Sequence, residues 1–220
     1  MPIKVTVHLV VFTIRDSSLK VLLASRTGTA VKKSMAIPTA VLIGNESFEE
    51  AARRALTKHV GADQLYLEQL YCSVDANKKE RKSNGSRGFS VAYYSLLPSD
   101  HVHGMTDTVW RSVRNLGSLS PAHRRIVENA FKRLRKKVEH NTAGFRLLSR
   151  KFTLPELQSM YEAILGTTLD KRNFRKKMSS LQLLRPLREW RRTGRKPARL
   201  YTIALARLEK LEQKEGAAPA

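Results

Sequence analysis

"TLPELQSMYEAILGTTLDKRNFRKKMSSLQLLRPLREWRRTGRKPARLYTI", residues Thr153–Ile203, is the stretch whose reading decides the architecture. Thr153-Leu154-Pro155-Glu156 has the spacing of a capping box, in which the threonine hydroxyl and the glutamate carboxylate each satisfy a backbone amide of a helix's first turn; proline is tolerated there. Leu157, Met160, Tyr161, Ile164 and Leu165 follow at helical spacing, and Gly166 is a natural stop. Asp170 is placed to cap a second helix whose apolar positions Phe174, Met178 and Leu181 recur at i, i+4 and i+7. "LRPLREWRRTGRKPARLYTI" then reads as two short strands joined by a basic turn. A helix, a basic helix and a basic hairpin in that order describe a winged helix-turn-helix, with the second helix as the element that enters a DNA major groove.

The charge agrees with that reading. Residues 171–199 carry twelve Lys or Arg and one acid, Glu189. Burial of Phe174, Met178 and Leu181 turns Lys171, Arg172, Arg175 and Lys176 to solvent, with Asn173 and Lys177 on the margins. Arginine can pair two donors with guanine and asparagine can pair with adenine, whereas lysine suits phosphates, which set position and affinity. Arg191, Arg192, Arg195 and Lys196 are expected at the hairpin tip beside Gly194 and Pro197, where a wing lies along the backbone or in the minor groove. Those ten residues are the candidate contacts for double-stranded DNA.

Working outward, the 220 residues suffice for two domains, and the net charge of +22 is shared between them. Residues 1–144 hold 23 basic and 12 acidic side chains and residues 145–220 hold 18 and 7, an excess of +11 in each part. Such a balance suits DNA, RNA or an acidic surface, so the choice rests on the pattern above. Cys72 is the only cysteine, which excludes an internal disulfide or a cysteine-based zinc site and fits a reducing cytoplasm. "VTVHLVVFTI" is too short to span a membrane and lacks a cleavage pattern, so it reads as a strand. No membrane partner and no cofactor are expected.

Val5–Ile14 and Leu19–Ala24 flank the turn "RDSS" as a hairpin. "SFEEAARRALTKHVG" reads as a helix with Ser47 as N-cap, Phe48, Ala51, Ala52, Ala55 and Leu56 inward, and Gly61 as stop. "LYLEQLYCSV" and "RGFSVAYYSLL" read as strands around a polar loop, Asp75–Arg87. This β-β-α-β-β order suggests an α/β sandwich over residues 1–142. A basic amphipathic helix at about 121–140, with Ile126, Val127, Ala130, Phe131, Leu134 and Val138 as its stripe, either covers that domain or connects it to a second subunit. "EHNTAG" breaks it, which places the boundary near Thr142 and a second domain over 143–220.

"LYLEQLY", "SVAYYSL", "FTLPELQSMYEAILG", "LDKRNFRKK" and "RKPARLY" together resemble the Nudix-related transcriptional regulators of NAD metabolism, the NrtR family. The resemblance is dense from Phe145 to Ile203 and looser before it. It implies an α/β fold, a Nudix-like α/β/α sandwich followed by a winged helix-turn-helix domain. It also implies a homodimer on an inverted-repeat operator, repression of NAD-biosynthesis genes, and ADP-ribose or a related nucleotide as effector.

A working Nudix hydrolase has a box G-x5-E-x7-R-E-U-x-E-E-x-G-U, where U is aliphatic and the helix glutamates hold magnesium or manganese. Aligned through Gly61 the box runs from Ala40 to Ala62; Glu46, Arg54, Leu56 and Gly61 match. The first glycine is Ala40, and the three helix glutamates are Ala55, Lys58 and His59. An ammonium about 4 Å from a divalent cation is repelled by roughly 8 kcal/mol at an effective dielectric of about 20, an upper bound because lysine can swing away. No catalytic and no metal-ligating residues are therefore expected. The resemblance leaves Arg26, Glu46, Arg54, Arg81 and Arg87 as effector contacts, with an ion pair to Glu50 as the ordinary role of Arg54. The loop "NKKERKSNGSR" departs from the family's "DRDPRGR"-like run. Three alternatives stay open: a regulator of this build answering to a sugar or another metabolite, an active pyrophosphohydrolase, and an RNA binder that stacks bases on Tyr93 and Tyr94.

Overall fold

A computed structural model of the chain describes residues 4–25, 35–62, 64–74, 88–101, 107–140, 143–192, 196–208 and 210. By contact it divides into two units: Met1–Thr13 with Lys20–Leu97 and Val102–Lys132, and Ile14–Leu19 with Pro98–His101 and Arg133–Ala220. The division falls inside the long helix, between Lys132 and Arg133, earlier than the break near Thr142 that the sequence suggests.

The first unit is built on a mixed sheet. Strands β1 (Val5–Arg15), β2 (Ser18–Ser25), β3 (Met35–Ala36), β4 (Thr39–Val41), β5 (Tyr66–Val74), β6 (Phe89–Leu96) and β7 (Thr108–Ser112) form it, among the described residues, in the order β3-β2-β1-β6-β5. β4 also pairs with β1 and β7 with β2. β1 and β6 run parallel, Leu9 opposite Tyr93, whereas β5 is antiparallel to β6. A parallel pair needs a crossover, and helix α1 (Phe48–Val60) lies within it. Ala51, Ala52, Ala55 and Leu56 of α1 are buried with Val7, Leu9 and Val11 of β1 and Tyr93 of β6. Side chains alternate across a strand, so His8 points to the opposite face. There its ring meets that of His123 at 5.3 Å, in the first turn of helix α2 (Pro121–His140). The unit is thus a Nudix-like sandwich, with helices on both faces of one sheet.

The expected hairpin, helix and strand pair are all present. The sequence reading missed β3, β4 and β7, because ladders of two to five residues leave too short an alternation to detect. Phe48, expected inward, is 39% exposed at the helix start.

In the second unit, a 3-10 turn (Ala143–Leu147) leads to β8 (Phe152–Thr153), α3 (Leu154–Leu165), α4 (Lys171–Ser180), β9 (Leu184–Arg192) and β10 (Pro197–Ile203). The three strands form a sheet in the order β8-β10-β9. Phe145, Tyr161 and Phe174 stack edge to face in series, with ring centroids 6.4 Å and 5.3 Å apart. Such pairs add specificity of geometry to apolar burial. Leu157, Met160, Ile164, Met178, Leu183 and Leu200 complete the core. Leu165 and Leu181, expected inside, are half-buried, and Leu183 takes the core place after α4 ends at Ser180.

Candidate nucleic-acid interface

The second helix is held by chemistry local to the preceding turn. At the start of α3, Thr153 N–H donates to Glu156 Oε2 at 2.7 Å and Glu156 N–H donates to Thr153 Oγ1 at 3.3 Å, the reciprocal capping box. Gly166 ends α3 at φ 75°, a left-handed conformation that costs a side chain without a Cβ nothing. The turn to α4 is then tied down by one carboxylate. Glu162 Oε1 accepts from Leu169 N–H and from Gln158 Nε2, both at 2.9 Å, and the same Gln158 amide donates to the Leu169 carbonyl. Those bonds, the Leu169 amide first, hold the Glu162 carboxyl below its ordinary value. Asp170 caps α4 by accepting from Asn173 N–H at 2.8 Å.

Only Phe174 and Met178 of α4 are buried. Lys171, Arg172, Asn173, Arg175, Lys176 and Lys177 are all exposed. A ten-residue helix anchored by two apolar side chains thus presents a face of cations with one amide among them. Lys177, on the margin, leans back: its Nζ lies 3.4 Å from the Glu139 carbonyl.

In the hairpin, Arg192 and Lys196 are exposed, while Arg195 lies outside the described residues. Arg191 occupies a different position from the tip contact expected of it. It lies within β9, its Nη1 donates to both Glu156 oxygens at 3.1 and 3.3 Å, and its Nη2 donates to the Lys151 carbonyl at 3.2 Å. The physical reason is strand alternation. Glu189 and Arg191 project to one face of β9, where Lys151 and Glu156 wait; Lys151 Nζ meets the Glu189 carboxylate at 2.7 Å. Trp190, between them on the other face, is 63% exposed and was not singled out in the sequence, since one tryptophan among arginines carries no periodicity.

In the first unit, the Nudix-box helix keeps its frame. Ser47 and Glu50 form a capping box, which holds the Glu50 carboxyl below its ordinary value. Glu49 pairs with Arg53 at 2.8 Å. Arg54 pairs with Glu46 rather than Glu50, because Glu50 is occupied by the cap: Nη2 to Oε1 is 2.6 Å and Nε to Oε2 is 3.1 Å. Arg54 also donates to the Val41 carbonyl at 2.9 Å, and Ile43 N–H donates to Glu46 at 2.8 Å. The Arg54 guanidinium is the first cause of the lowered Glu46 carboxyl. These two candidate effector contacts hold each other, and Arg26, Arg81 and Arg87 lie outside the described residues.

The donor set does not fit the divalent cation of a Nudix hydrolase. Ala55 is buried and offers no donor, Lys58 is an exposed cation, and His59 stands alone, held below its ordinary value by burial first and by Lys58 second. Among the described residues no three His, Cys, Asp or Glu converge. The tyrosines proposed for base stacking are also engaged. Tyr94 OH donates to Glu68 Oε2 at 2.7 Å and Tyr66 OH to the same carboxylate; Tyr93 OH donates to Gln69 Oε1 at 3.0 Å. At 6% and 0% exposure, Tyr93 and Tyr94 lace β6 to β5 and offer no ring face to a base. Among the described residues, no helix is long and apolar enough to cross a membrane.

Residues 144–203 match the family model of the NrtR DNA-binding winged helix domain. Over 210 residues, 91% of this chain and 82% of the relative, the sequence is 29% identical to the ADPR responsive transcriptional repressor NtrR of Acinetobacter baylyi. Shewanella oneidensis NrtR, crystallised with a 27mer DNA, is similar over 93% of this chain and 95% of its own, with a TM-score of 0.80 and 27% identity. A MutT/nudix family protein from Enterococcus faecalis shares the fold over 92% of this chain and 88% of its own, at a TM-score of 0.71 and 24% identity. A Nudix-like α/β domain followed by a winged helix defines a class of regulator that joins an effector domain to a DNA-reading head. Within that class, the chain is similar to the Nudix-related regulators of the NrtR family, and its residues 144–203 carry that family's winged helix domain.

Proposed function

We propose that this chain is a cytoplasmic, homodimeric transcriptional repressor whose α4 reads an inverted-repeat operator and whose Nudix-like domain senses ADP-ribose or a related nucleotide without cleaving it. One observation carries the reading: Phe174 and Met178 are buried while all five cations and Asn173 of the same ten-residue helix are exposed. A solvated surface helix needs no such concentration of one sign, and like charges four residues apart destabilise a helix unless a polyanion balances them. The kinship with a DNA-bound regulator and with an ADPR-responsive repressor supports the assignment of both ligands. By the resemblance in sequence, the regulated genes are those of NAD biosynthesis.

Arg172, Asn173 and Arg175 are the proposed base readers. Lys171, Lys176, Lys177, Arg192, Arg195 and Lys196 are the proposed phosphate contacts. Arg26, Arg81 and Arg87 remain the proposed nucleotide contacts, together with Glu46 and Arg54, which pair with each other in the structure. Loss of catalysis follows from Ala55, Lys58 and His59, which supply neither a carboxylate cluster nor a base beside a metal.

The test is selection of duplexes from a random pool, followed by titration at several salt concentrations. Arg172→Ala and Arg175→Ala are expected to weaken the selected duplex and relax its sequence preference, and ADP-ribose to release it. Binding untouched by both substitutions removes α4 from the account. Turnover of ADP-ribose in magnesium or manganese, lost in Glu46→Gln, removes the non-hydrolytic sensor.

A further inference from the structure

Trp190 is a large apolar ring left 63% exposed on β9. It stands directly opposite Arg199 of β10, so the two side chains share a face of the sheet. Arg192, two residues along the strand and opposite Pro197, shares that face, and both arginines are exposed. The other face of β9 is committed to the protein's own fold through Glu189 and Arg191. Arg199 is restrained as well: its Nε donates to the Leu187 carbonyl at 2.9 Å, which fixes the guanidinium along the hairpin. Exposed Arg188 precedes the indole by two residues.

Arginine beside tryptophan also occurs at protein interfaces, so what selects the partner here is the sign of the charge around the ring. Here its neighbours on the face are cations. A second copy of the same face would bring like charges together around the ring. An apolar centre with a cationic rim instead complements a sugar–phosphate strand, whose deoxyribose edges are apolar and whose phosphates are anionic. Proteins that enter a minor groove also combine apolar side chains with arginines, though there the apolar group wedges between base steps.

We infer that Trp190 is an uncharged DNA contact of the hairpin, its indole packed on deoxyribose edges of the duplex between phosphates met by Arg192 and Arg199. The inference rests on the reading of this unit as a binder of duplex DNA. An uncharged contact releases no counterion, so its loss lowers affinity equally at every salt concentration, whereas loss of a phosphate contact changes the salt slope by roughly 0.9.

The experiment uses the full chain and a duplex that the wild type selects from a random pool. The chain has two tryptophans, so Trp110→Phe leaves Trp190 as its one indole fluorophore. Saturating duplex is expected to reduce acrylamide quenching of that indole several-fold. Trp190→Ala is expected to lower affinity about tenfold with a parallel salt line, at unchanged melting temperature. Trp190→Phe is expected to restore most of the loss, and Arg192→Ala to flatten the line instead. Unchanged quenching at saturation, or a Trp190→Ala line that coincides with the wild type, overturns the inference. If Arg172→Ala weakens binding in the same series, the DNA-binding reading survives that failure. A wild type that selects no duplex sinks both.

Discussion

Arg191 separates two roles that a basic hairpin allows. Read from charge alone it is a phosphate contact; in the structure it is an internal brace, and the difference is measurable. Its guanidinium holds both oxygens of Glu156 and the Lys151 carbonyl. The side chains of the pair are 42% and 36% exposed and border an open cavity of about 380 Å³, so water screens the attraction. An exposed pair of this kind is worth about 0.2–1 kcal/mol. The hydrogen bond to the carbonyl adds a similar net amount, part of which water restores in the variant. Arg191→Ala is therefore expected to destabilise the winged-helix unit by about 1 kcal/mol, a shift of roughly 4–8 °C in the melting temperature of a domain this size.

Glu156→Gln is the matching partner, because glutamine at that helical position still completes the capping box while removing the charge. Chemical denaturation of the two single variants and the double variant gives a coupling energy, expected at about 0.5–1 kcal/mol. In parallel, the salt slope of duplex binding is expected to be unchanged in Arg191→Ala and to fall by roughly 0.9 per protomer in Lys176→Ala. A coupling of zero together with a reduced slope in Arg191→Ala would falsify the brace and return the residue to the DNA.

Three further outcomes follow from the same geometry. Glu46, Glu50 and Glu162 are each held below the ordinary 4.5 by hydrogen bonds that favour the charged form. Their contribution to stability is present above that value and is lost as pH falls through the lowered folded-state values; Glu46→Gln with Glu162→Gln should flatten the acid limb of a denaturation-midpoint profile. A Cβ on Gly144 would stand 3.2 Å from both Met160 Cε and Val138 Cγ2, so Gly144→Ala is expected to lower the thermal midpoint, and to lower it less when made in a Met160→Ala background, where the contact with Met160 is gone. Phe174→Ala removes the ring that docks α4 on Tyr161 and is expected to cost about 3–5 kcal/mol, with DNA affinity falling at every salt concentration.

The elements that could be read in the sequence were those whose signals are local. Thr153, Glu156, Gly166 and Asp170 announce the ends of α3 and α4 because a cap needs particular atoms at a particular spacing, and the structure uses those atoms. Lys171 to Lys177 could be placed on the outer face of α4 because two apolar positions fix its rotation. What escaped depended on partners far along the chain. β8 exists only because Leu200 and Tyr201 pair with it, and two residues carry no period of their own. The Arg191–Glu156 and Arg54–Glu46 pairs span 35 and 8 residues, and nothing in a charge run says which of several carboxylates a given arginine will meet. Trp190 escaped because its meaning lies in exposure, a property of the folded surface.

The Nudix-like helix bears on function through what it retains. Ser47 and Glu50 form a working cap, Gly61 a left-handed stop, and Glu46 and Arg54 a two-point clamp. Each of these builds the helix or fixes the Val41–Glu46 loop against it. None requires a metal. Besides Ala40 in place of the first glycine, the positions that differ are the three helix glutamates: Ala55 is folded into the core, Lys58 is an exposed cation, and His59 is half-buried beside that lysine. Under the proposed function, a scaffold without the hydrolase's helix carboxylates suits a sensor, since a nucleotide consumed on binding cannot report its own concentration. On this reading, disrupting the clamp with Arg54→Ala should weaken release of the operator by ADP-ribose. Its affinity for the operator alone should be unchanged, because the clamp belongs to the Nudix-like unit and the reading head to the other. Equal loss in both titrations would mean that the clamp merely holds the chain folded.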